Sequence, residues 1–360
     1  MLRWGSRDAM TIRVGINGIG RIGRSFWRVC RNRREIDVVA INDIAEPRAQ
    51  AHLLRYDSVR GPLDADVAVD DGAIIVDHHS IASFRRPQAG DVPWGDLGVD
   101  VVLEATGRFF SADQARRHLD AGAGRVVVST ATVDPDVTIL MGVNEADFDP
   151  ARHRIISPAC CTSSAAAPII AALRQSLGLR GGMLTTVHAF DPTKSSLHDA
   201  PHWDLRMGRA ATVNLIPARL KPGSIHALSS TFPELAGRIA GLHVRVPAII
   251  GCVADLDLQV DRRTTAKEVN AALAAAAEGS LKGYLGYTEE EIVSSDIIGR
   301  TESCIVDAEF TTVVGNTVKV IGWYDNEWGF ANRLADVIGL VGGHPTPGER
   351  PHALAVPAGP

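Results

Sequence analysis

A cysteine, Cys161, lies where a loop turns into a predicted helix, in the segment Ser157–Ala166 (Ser-Pro-Ala-Cys-Cys-Thr-Ser-Ser-Ala-Ala). A helix N-terminus favours a thiolate, because its unpaired backbone N–H groups and its dipole stabilise negative charge. A predicted strand that ends at His188 follows, and an imidazole beside the sulfur can take the thiol proton. The pair therefore indicates a nucleophile that attacks a carbonyl carbon. The alternative is a buried structural cysteine and an unrelated strand histidine.

Two further pairs of side chains have competing interpretations. Cys160 and Cys161 are adjacent and could form a redox pair, but adjacent cysteines rarely bridge without strain, which favours two separate thiols. His198 and His202 are four residues apart and would share one face of a helix, but no third ligand accompanies them. A surface loop is therefore favoured over a metal site, and we predict no bound metal.

A candidate dinucleotide site lies near the start of the chain. Residues 18–23 read Gly-Ile-Gly-Arg-Ile-Gly, which matches G-x-G-x-x-G directly after a predicted strand and at the start of a predicted helix. The glycines permit a tight turn and a close backbone approach, so a pyrophosphate can bind at the helix N-terminus. Asp43, at the end of the second strand, can accept hydrogen bonds from the adenosine ribose and repels a 2′-phosphate. The pattern predicts NAD, while Arg48 leaves NADP open; a helix-packing glycine turn is the alternative.

The predicted secondary structure that must position these residues changes along the chain. Short β-branched runs alternate with amphipathic stretches from Thr11 to about Val128, which predicts a parallel sheet covered on both faces. After Cys161 a helix runs from about Thr162 to Leu177, and the strands then become longer and more alternating, as in an antiparallel sheet with one covered face. The predicted fold class is α/β, with a Rossmann-type parallel sheet domain and an α+β catalytic domain whose sheet is mainly antiparallel.

Individual elements follow from the same pattern. Capping-box spacing predicts helix starts after Ser111 and Thr265, and Gly279 marks the end of the second of these helices. The other predicted strands are residues 12–16, 38–42, 101–104, 125–128, 182–190, 243–260 and 317–325, and the other predicted helices are residues 21–31 and 332–341. The predicted domains are an NAD-binding domain at 11–160 completed by a helix at 331–343, a catalytic domain at 161–330, and flexible termini at 1–9 and 344–360.

Composition limits the classes of partner. The chain of 360 residues is 45% hydrophobic and 22% charged, with a formal net charge of −5, which gives no reason to expect nucleic acid or an anionic membrane as a partner. No apolar run approaches the roughly 20 residues that span a bilayer, and the first nine residues lack the apolar core of a secretory signal. Five scattered cysteines do not form a disulfide framework, so a reducing cytoplasm is predicted.

The motifs together resemble the glyceraldehyde-3-phosphate dehydrogenase superfamily, including its erythrose-4-phosphate dehydrogenase branch. The similarity extends from Met10 to about Val341. It is carried by the glycine-rich segment and the cysteine segment described above, and by Ile41-Asn42-Asp43, Tyr56-Asp57-Ser58-Val59, Glu104-Ala105-Thr106-Gly107, Thr185-Thr186-Val187-His188-Ala189, Arg245-Val246-Pro247 and Trp323-Tyr324-Asp325-Asn326-Glu327-Trp328-Gly329-Phe330.

The resemblance implies roles for particular residues. Cys161 matches the nucleophile and His188 its base, and the family is a homotetramer that oxidises a small-molecule aldehyde with NAD. The cofactor-binding residues that it implies are Asn17, Gly18, Gly20, Arg21, Ile22, Asp43, Thr106, Ser129 and Asn326, the last of which matches the residue that holds the nicotinamide carboxamide. The substrate-binding residues that we predict are Cys160, Thr162, Asp191 and Arg245, of which Arg245 matches a cationic contact to substrate or inorganic phosphate.

The chain departs from the family pattern where phosphate is bound. The family's cysteine segment reads Ser-Asn-Ala-Ser-Cys-Thr-Thr-Asn-Cys, and Cys160 replaces the serine that helps bind inorganic phosphate. Asp191 replaces a threonine that serves the substrate phosphate, and its carboxylate would repel that group; it is interpreted either as a solvated loop carboxylate or as a contact for an amine or hydroxyl. Met207 replaces an arginine, and Arg219-Leu220-Lys221-Pro222-Gly223 replaces a Ser-Thr-Gly-Ala loop.

Three functional hypotheses follow. The first is oxidation of glyceraldehyde 3-phosphate through a cysteine thioester that is released by phosphate. The second is a specialised paralogue that oxidises a tetrose phosphate or an unphosphorylated aldehyde, with water or another acyl acceptor, and it is motivated by the altered phosphate contacts. Arg219, Lys221 and Lys194 could rebuild such contacts. The third is a non-catalytic NAD-binding regulatory or resistance protein, and the joint retention of Cys161, His188 and Asn326 argues against it.

Overall fold

The computed structural model describes residues 11–191, 197–220 and 222–344. The predicted flexible termini, His344 apart, lie outside the described residues, as do Lys194 and Lys221. The helices are α1 (Arg21–Cys30), α2 (Pro47–Arg55), α3 (Ala112–Asp120), α4 (Cys161–Leu177), α5 (Pro222–Thr231), α6 (Ala266–Glu278) and α7 (Trp328–Gly342). The strands are β1 (Ile12–Asn17), β2 (Ile36–Asn42), β3 (Val67–Asp70), β4 (Ala73–Val76), β5 (His79–Phe84), β6 (Val101–Glu104), β7 (Arg125–Val128), β8 (Val137–Thr138), β9 (Ile155–Ser157), β10 (Leu179–Ala189), β11 (Ile216–Arg219), β12 (Ile239–Val246), β13 (Cys252–Val260), β14 (Leu285–Thr288), β15 (Cys304–Val314) and β16 (Thr317–Tyr324).

The first sheet has the strand order β3-β4-β5-β2-β1-β6-β7-β9-β8. From β5 to β8 every pairing is parallel, and only the edge strands β3 to β5 pair antiparallel. Every residue of β6 and β7 is buried, as expected for a parallel sheet covered on both faces. The carboxyl ends of β1, β2 and β6 meet at one edge, which brings Asn17, Asn42 and Glu104 together. The predicted Rossmann-type sheet is confirmed.

The last helix packs against this sheet. Leu334 and Ile338 of α7 share a hydrophobic core with Val14 of β1 and Phe26 of α1. α7 begins at Trp328, a few residues before the predicted start, because the Asp325 carboxylate accepts hydrogen bonds from the backbone N–H groups of residues 327 and 328. The chain end therefore returns to the sheet that contains the glycine-rich turn.

The second sheet has the order β11-β12-β10-β13-β16-β15-β14 and is mainly antiparallel, as predicted. Two of its pairings, β10 with β12 and β14 with β15, are parallel. The single strand predicted at 243–260 is wrong, since β12 and β13 are separate. Pro247 cannot donate to the ladder, and Gly251 has a φ of +87°, so the chain turns between the two strands.

Helix α4 is the central element of the second core. Its apolar side chains are buried on every side, including Ala166, Ile169, Ile170 and Leu173, which is typical of a helix enclosed within a domain. Both predicted capping boxes are present, at Ser111 before α3 and at Thr265 before α6. Because the apolar side chains of α4 are enclosed in this core, its first residue, Cys161, has a fixed position.

Candidate active site

The glycine-rich turn at residues 18–23 can cradle a pyrophosphate. Gly18 has a φ of +97°, and a Cβ there would lie 2.6 Å from the backbone nitrogen of Thr106. A Cβ on Gly23 would lie 2.2 Å from the carbonyl oxygen of Gly18, so both glycines are required for packing. Around Gly20 nothing lies within 4 Å of the Cβ position, and no side chain caps the helix that begins at Arg21. Open space thus borders an uncapped helix N-terminus, which fits the phosphates of NAD.

Asp43 is tied to the same turn. Its carboxylate accepts hydrogen bonds from the backbone N–H of Ile19 at 2.9 Å and of Ala45 at 3.0 Å. The side chain remains partly exposed, so its oxygens are available to ribose hydroxyls. Arg48 is exposed on α2, the next helix. A carboxylate held beside the glycine turn fits the adenosine half of NAD.

A buried polar chain behind the turn was not predicted from the sequence. Asn42 donates to Asn17 at 2.6 Å, and Asn17 donates to Glu104. Trp94 donates to Nδ1 of His118 at 3.0 Å, so the ring's proton lies on Nε2, 3.1 Å from Glu104. The backbone N–H of residue 106 and the Thr106 hydroxyl also donate to this carboxylate, which fixes the sheet edge around the cofactor residues.

Cys161 and His188, predicted as a pair, lie together. Cys161 is the first residue of α4, and its sulfur lies 3.5 Å from Nε2 of His188. The N–H groups of the first turn lie at the same end of the helix as the sulfur. No side chain caps this helix, so these groups have no side-chain acceptor. Ala159 has a φ of +58°, a conformation that costs a non-glycine residue energy and that turns the chain into the helix. A thiolate at this position has two sources of stabilisation, the imidazole and the helix N-terminus.

The other ring nitrogen of His188 has two neighbours. Nη1 of Arg245 lies 2.6 Å from Nδ1, and the carbonyl oxygen of Ala189 lies 2.7 Å from it. The same Nη1 donates to that carbonyl at 2.9 Å. Arg245 faces His188 because β10 and β12 run parallel with these two residues in register. Arg245, the cation predicted to bind the substrate, therefore contacts His188, the predicted base.

The Cys160 side chain contacts hydroxyl groups of α4 and α5. Its sulfur contacts the hydroxyl groups of Ser163 at 3.3 Å and Ser224 at 3.2 Å. Ser224 lies in the first turn of α5, directly after the segment that departs from the family pattern, and its role was not predicted. All five cysteines are free thiols, so the disulfide interpretation of Cys160 and Cys161 is wrong for this structure. Two helix N-termini and two hydroxyl groups thus surround the Cys160 sulfur.

Asp191 is paired with a cation and is not a solvated loop carboxylate, so that interpretation is wrong. Its side chain is buried, with the residue only 8% exposed, and it lies 2.6 Å from Arg21, the first residue of α1. Arg21 also pairs with Glu327 at 2.8 Å, and Glu327 pairs with Arg60 at 3.1 Å. Burial raises the pKa of Glu327, an effect that the two guanidinium groups oppose. The network joins the cofactor turn to the segment after His188.

The remaining predicted residues line the same region. The side-chain oxygen of Asn326 accepts from the backbone N–H of Gly251 at 3.3 Å, which leaves its NH2 group for a ligand. The hydroxyl of Thr162 contacts that of Tyr324 at 3.4 Å, and both are buried. Ser129 follows β7 at the carboxyl edge of the first sheet. Ile22 lies in the first turn of α1, next to Arg21.

Two side chains, Met207 and Cys252, supply neither a cation nor a second nucleophile to the site. Met207, which replaces an arginine of the family, is buried in an apolar cluster with Ala211 and Ile216, so no cation is provided there. Cys252 lies behind His188, where its sulfur accepts from the backbone N–H of Ala189 at 3.4 Å. Burial raises the pKa of the Cys252 thiol well above its usual range, so it remains neutral and does not compete as a nucleophile.

The described part of the chain has neither a metal-binding cluster nor a helix suited to cross a membrane. His198 and His202 lie in turns and irregular backbone, not on a helix, and among residues 11–191, 197–220 and 222–344 no three His, Cys, Asp or Glu side chains are arranged to hold a metal ion. Within those same residues, none of the helices combines the length and apolar character needed to cross a membrane.

Comparison with known proteins identifies relatives along most of the chain. Residues 12–112 match the family model "Glyceraldehyde 3-phosphate dehydrogenase, NAD binding domain", and residues 160–326 match the corresponding "C-terminal domain". The chain is 46% identical to glyceraldehyde-3-phosphate dehydrogenase 1 of Streptomyces avermitilis over 334 residues, which cover 92% of this chain and 99% of the relative. It is 44% identical to the glyceraldehyde-3-phosphate dehydrogenase of Mycolicibacterium smegmatis over 341 residues, with the same coverage. Glyceraldehyde-3-phosphate dehydrogenase 1 of Bacillus cereus is 44% identical over 326 residues, 90% of this chain and 97% of the relative.

Proposed function

Because the chain belongs to the glyceraldehyde-3-phosphate dehydrogenase family and carries its NAD-binding domain, we propose that it oxidises a small aldehyde with NAD through a thioester on Cys161. The observation that supports this proposal most strongly is the 3.5 Å contact between the Cys161 sulfur and Nε2 of His188 at the start of α4. The relatives are named for glyceraldehyde 3-phosphate. This aldehyde is therefore the reference substrate, with which other aldehydes are compared for this chain.

In the proposed reaction the Cys161 thiolate attacks the aldehyde carbon. The backbone N–H of Cys161, at the uncapped start of α4, donates to the oxygen on which negative charge develops. His188 gives a proton to that oxygen and accepts it back as the hemithioacetal becomes a thioester. Phosphate or water then releases the acyl group. The attack and the proton transfer use the Cys161–His188 pair and the backbone around it, whereas the hydride released in the oxidation needs an acceptor.

NAD, when bound, supplies the hydride acceptor. The turn at residues 18–23 would hold its phosphates, Asp43 its adenosine ribose, and Asn326 the carboxamide of the nicotinamide. Thr106 and Ser129 lie at the same sheet edge, where the buried chain from Trp94 to Asn42 keeps the backbone in place.

A panel of aldehydes tests the proposal directly. Each aldehyde is mixed with the protein and NAD, with and without inorganic phosphate, and NADH absorbance is followed from the first turnover. With at least one aldehyde we expect a burst of NADH equal to the concentration of Cys161 when phosphate is omitted, because the thioester forms before release and water releases it slowly. A protein that binds NAD but forms no NADH with any aldehyde, in a burst or in steady state, would be a non-catalytic member of the family.

The pairing of Asp191 with Arg21 favours a second candidate function. A phosphate group near this pair would meet a carboxylate, while the adjacent cation is already neutralised by Asp191 and Glu327. Arg245, the other cation of the site, donates to His188 and Ala189. These contacts support a specialised enzyme that prefers an aldehyde without a phosphate at this end.

The second candidate predicts the effect of Asp191→Asn. Removal of one negative charge and release of Arg21 should raise kcat/KM for glyceraldehyde 3-phosphate, relative to unphosphorylated glyceraldehyde, by roughly ten-fold or more, since a unit charge a few ångströms away contributes a few kcal/mol at a partly buried site. Steady-state NADH formation measures the ratio. Asp199→Asn is the matched control, because Asp199 forms an exposed pair with Arg209 at 3.1 Å. An unchanged ratio in Asp191→Asn would favour the reference substrate.

A homotetramer is proposed as the assembly. On one face of the second sheet, apolar side chains are uncovered in the single chain: Met183 is 60%, Leu242 41% and Val187 38% exposed. The register places them together, since Thr185, which lies between Met183 and Val187 on the same face, pairs with Leu242. An exposed apolar sheet face of this kind fits contact with a second copy.

This assembly predicts that charges on that face separate the subunits. The double variant Met183→Arg/Leu242→Arg should sediment as a smaller species than the unaltered protein, because two buried cations would lack partners at the contact. Sedimentation velocity measures the change. Val69→Arg, on the edge strand β3, is the control that should leave the assembly intact. Persistence of the original species in the double variant would place the contact elsewhere.

We infer a cytoplasmic location from the cysteines. All five are free in the structure, and the nucleophile must remain reduced to react, which a reducing compartment provides. Fractionation of the producing cells tests the inference.

A further inference from the structure

One ion pair beside the candidate active site has no part in the proposed chemistry. Oδ1 of Asp191 accepts a hydrogen bond from Nη2 of Arg21 at 2.6 Å. The Asp191 side chain is 11% exposed and the Arg21 side chain 30%, so the pair is more sheltered on the carboxylate side than on the guanidinium side. A ligand can therefore reach the pair from the guanidinium side.

The pair joins two segments that border the Cys161–His188 pair. Asp191 lies three residues after His188, just beyond the end of β10. Arg21 follows the glycine-rich turn, and Ile19 of that turn belongs to the hydrophobic core against which Cys161 packs. The ion pair therefore connects the end of β10 with the start of α1, both of which border the reacting pair.

The ion pair also borders the place of the nicotinamide. Nη1 of Arg21 contacts Glu327 at 2.8 Å, and Glu327 directly follows Asn326, which would hold the carboxamide. An aldehyde that gives its hydride to the nicotinamide must lie between that ring and the Cys161 sulfur. The end of the substrate away from the aldehyde then extends toward the polar side chains around this space, and Arg21 and Asp191 are two of them.

The hydrogen-bonding capacity of the pair favours one class of ligand. A guanidinium can only donate, whereas a carboxylate can only accept. A hydroxyl group does both at once, so it can donate to Asp191 while it accepts from Arg21. A fully ionised phosphate only accepts and would meet the carboxylate, and an ammonium group only donates and would meet the guanidinium.

The contacts in the structure leave room for such a hydroxyl group. Arg21 uses one N–H of Nη1 for Glu327 and one N–H of Nη2 for Asp191, and a guanidinium has five. The contact of Asp191 with Arg21 uses Oδ1, and a carboxylate has about four lone-pair sites on its two oxygens. The two charges of the pair also cancel, so the pair by itself attracts neither an anion nor a cation strongly.

We propose that the Arg21–Asp191 pair binds a hydroxyl group at the end of the substrate away from the aldehyde, and that the substrate is an unphosphorylated hydroxyaldehyde of the short-aldose class. The proposal deepens the proposed function and rests on it, because Cys161 must be the nucleophile and Asn326 must hold the nicotinamide. It goes beyond the exclusion of phosphate, since it requires that a hydroxyl group increases reactivity and is not merely tolerated.

Three-carbon aldehydes that differ only at the far carbon test this role. Propanal, 3-hydroxypropanal and 3-aminopropanal carry a hydrogen, a hydroxyl and an ammonium group there. For each, kcat/KM is measured from steady-state NADH formation at fixed NAD and phosphate. The unaltered protein should prefer 3-hydroxypropanal over propanal by roughly 10- to 100-fold, because hydrogen bonds to charged groups discriminate strongly against an analogue that lacks the hydroxyl. It should also prefer 3-hydroxypropanal over 3-aminopropanal.

Variants at position 191 separate recognition by the pair from the general reactivity of each aldehyde. Asp191→Leu removes the acceptor, so the preference for 3-hydroxypropanal over propanal should fall to about 3-fold or less. Asp191→Asn keeps an acceptor oxygen and should retain an intermediate preference. Asp199→Leu, which alters an exposed pair with Arg209, is the matched control and should keep the full preference. Thermal unfolding and the affinity for NAD show whether each variant is folded.

The outcomes distinguish this proposal from the proposed function. Equal kcat/KM values for propanal and 3-hydroxypropanal in the unaltered protein would overturn it, as would a preference that Asp191→Leu leaves unchanged, a preference for 3-aminopropanal, or turnover of glyceraldehyde 3-phosphate alone. Each of these results would leave the proposed function standing, because NADH still forms. Absence of NADH with every aldehyde, glyceraldehyde 3-phosphate included, would refute both.

Discussion

Replacement of Cys161 by serine is expected to reduce aldehyde-dependent NADH formation by roughly 10⁴-fold or more, while the affinity for NAD stays unchanged. The serine hydroxyl remains protonated near neutral pH, so neither the helix N-terminus nor His188 can present an anionic nucleophile. The cofactor turn lies on the first sheet and α1, and the substitution of sulfur by oxygen leaves both untouched. The burst of NADH and the quenching of protein fluorescence by NAD measure the two properties.

Cys160→Ser provides the comparison at the neighbouring position. Its sulfur contacts Ser163 and Ser224, so this variant should retain the burst of NADH. If Cys161→Ser kept a burst of normal amplitude and Cys160→Ser lost it, the nucleophile would be Cys160 and not Cys161. Thermal unfolding of both variants shows whether the fold is intact.

The fold was predictable where periodicity and local chemistry agree. The buried runs of β6 and β7, the capping boxes at Ser111 and Thr265, and the glycine turn after β1 each carry their signal within a few residues. The break between β12 and β13 was missed, although Pro247 and Gly251 mark it, because the apolar alternation resumes directly afterwards. Local signals thus identified the elements better than their ends.

The pairings across the site were less predictable, because they join residues far apart in the chain. Trp94 and His118 support Asn17 from about 80 to 100 positions away, and Arg21 reaches both Asp191 and Glu327. On the sequence alone, the carboxylate after His188 could be either a solvated loop residue or a contact for an amine or hydroxyl, since nothing near it in the chain indicates a pairing with Arg21. Only the folded arrangement of α1 against the segment after β10 reveals its partner.

The contact between Arg245 and His188 shows the same limit at the reacting atoms. The sequence indicated a base and a cation, and their spacing of 57 positions gave no reason to place them in register on adjacent parallel strands. Once they are, Nη1 of the cation lies 2.6 Å from Nδ1 of the predicted base.

Replacement of His188 by glutamine is expected to slow the NADH burst by roughly 10²- to 10⁴-fold, the range for loss of one general acid–base group. The glutamine NH2 group can still donate to the Cys161 sulfur from near the position of Nε2, so the thiolate should remain. Alkylation of Cys161 by iodoacetamide should therefore slow far less than the burst, because alkylation needs the thiolate alone and oxidation also needs a proton acceptor. His78→Gln, in an exposed turn between β4 and β5, is the control that should change neither rate. Equal losses in both rates would mean that His188 serves only to form the thiolate, and an unaltered burst would remove it from the chemistry.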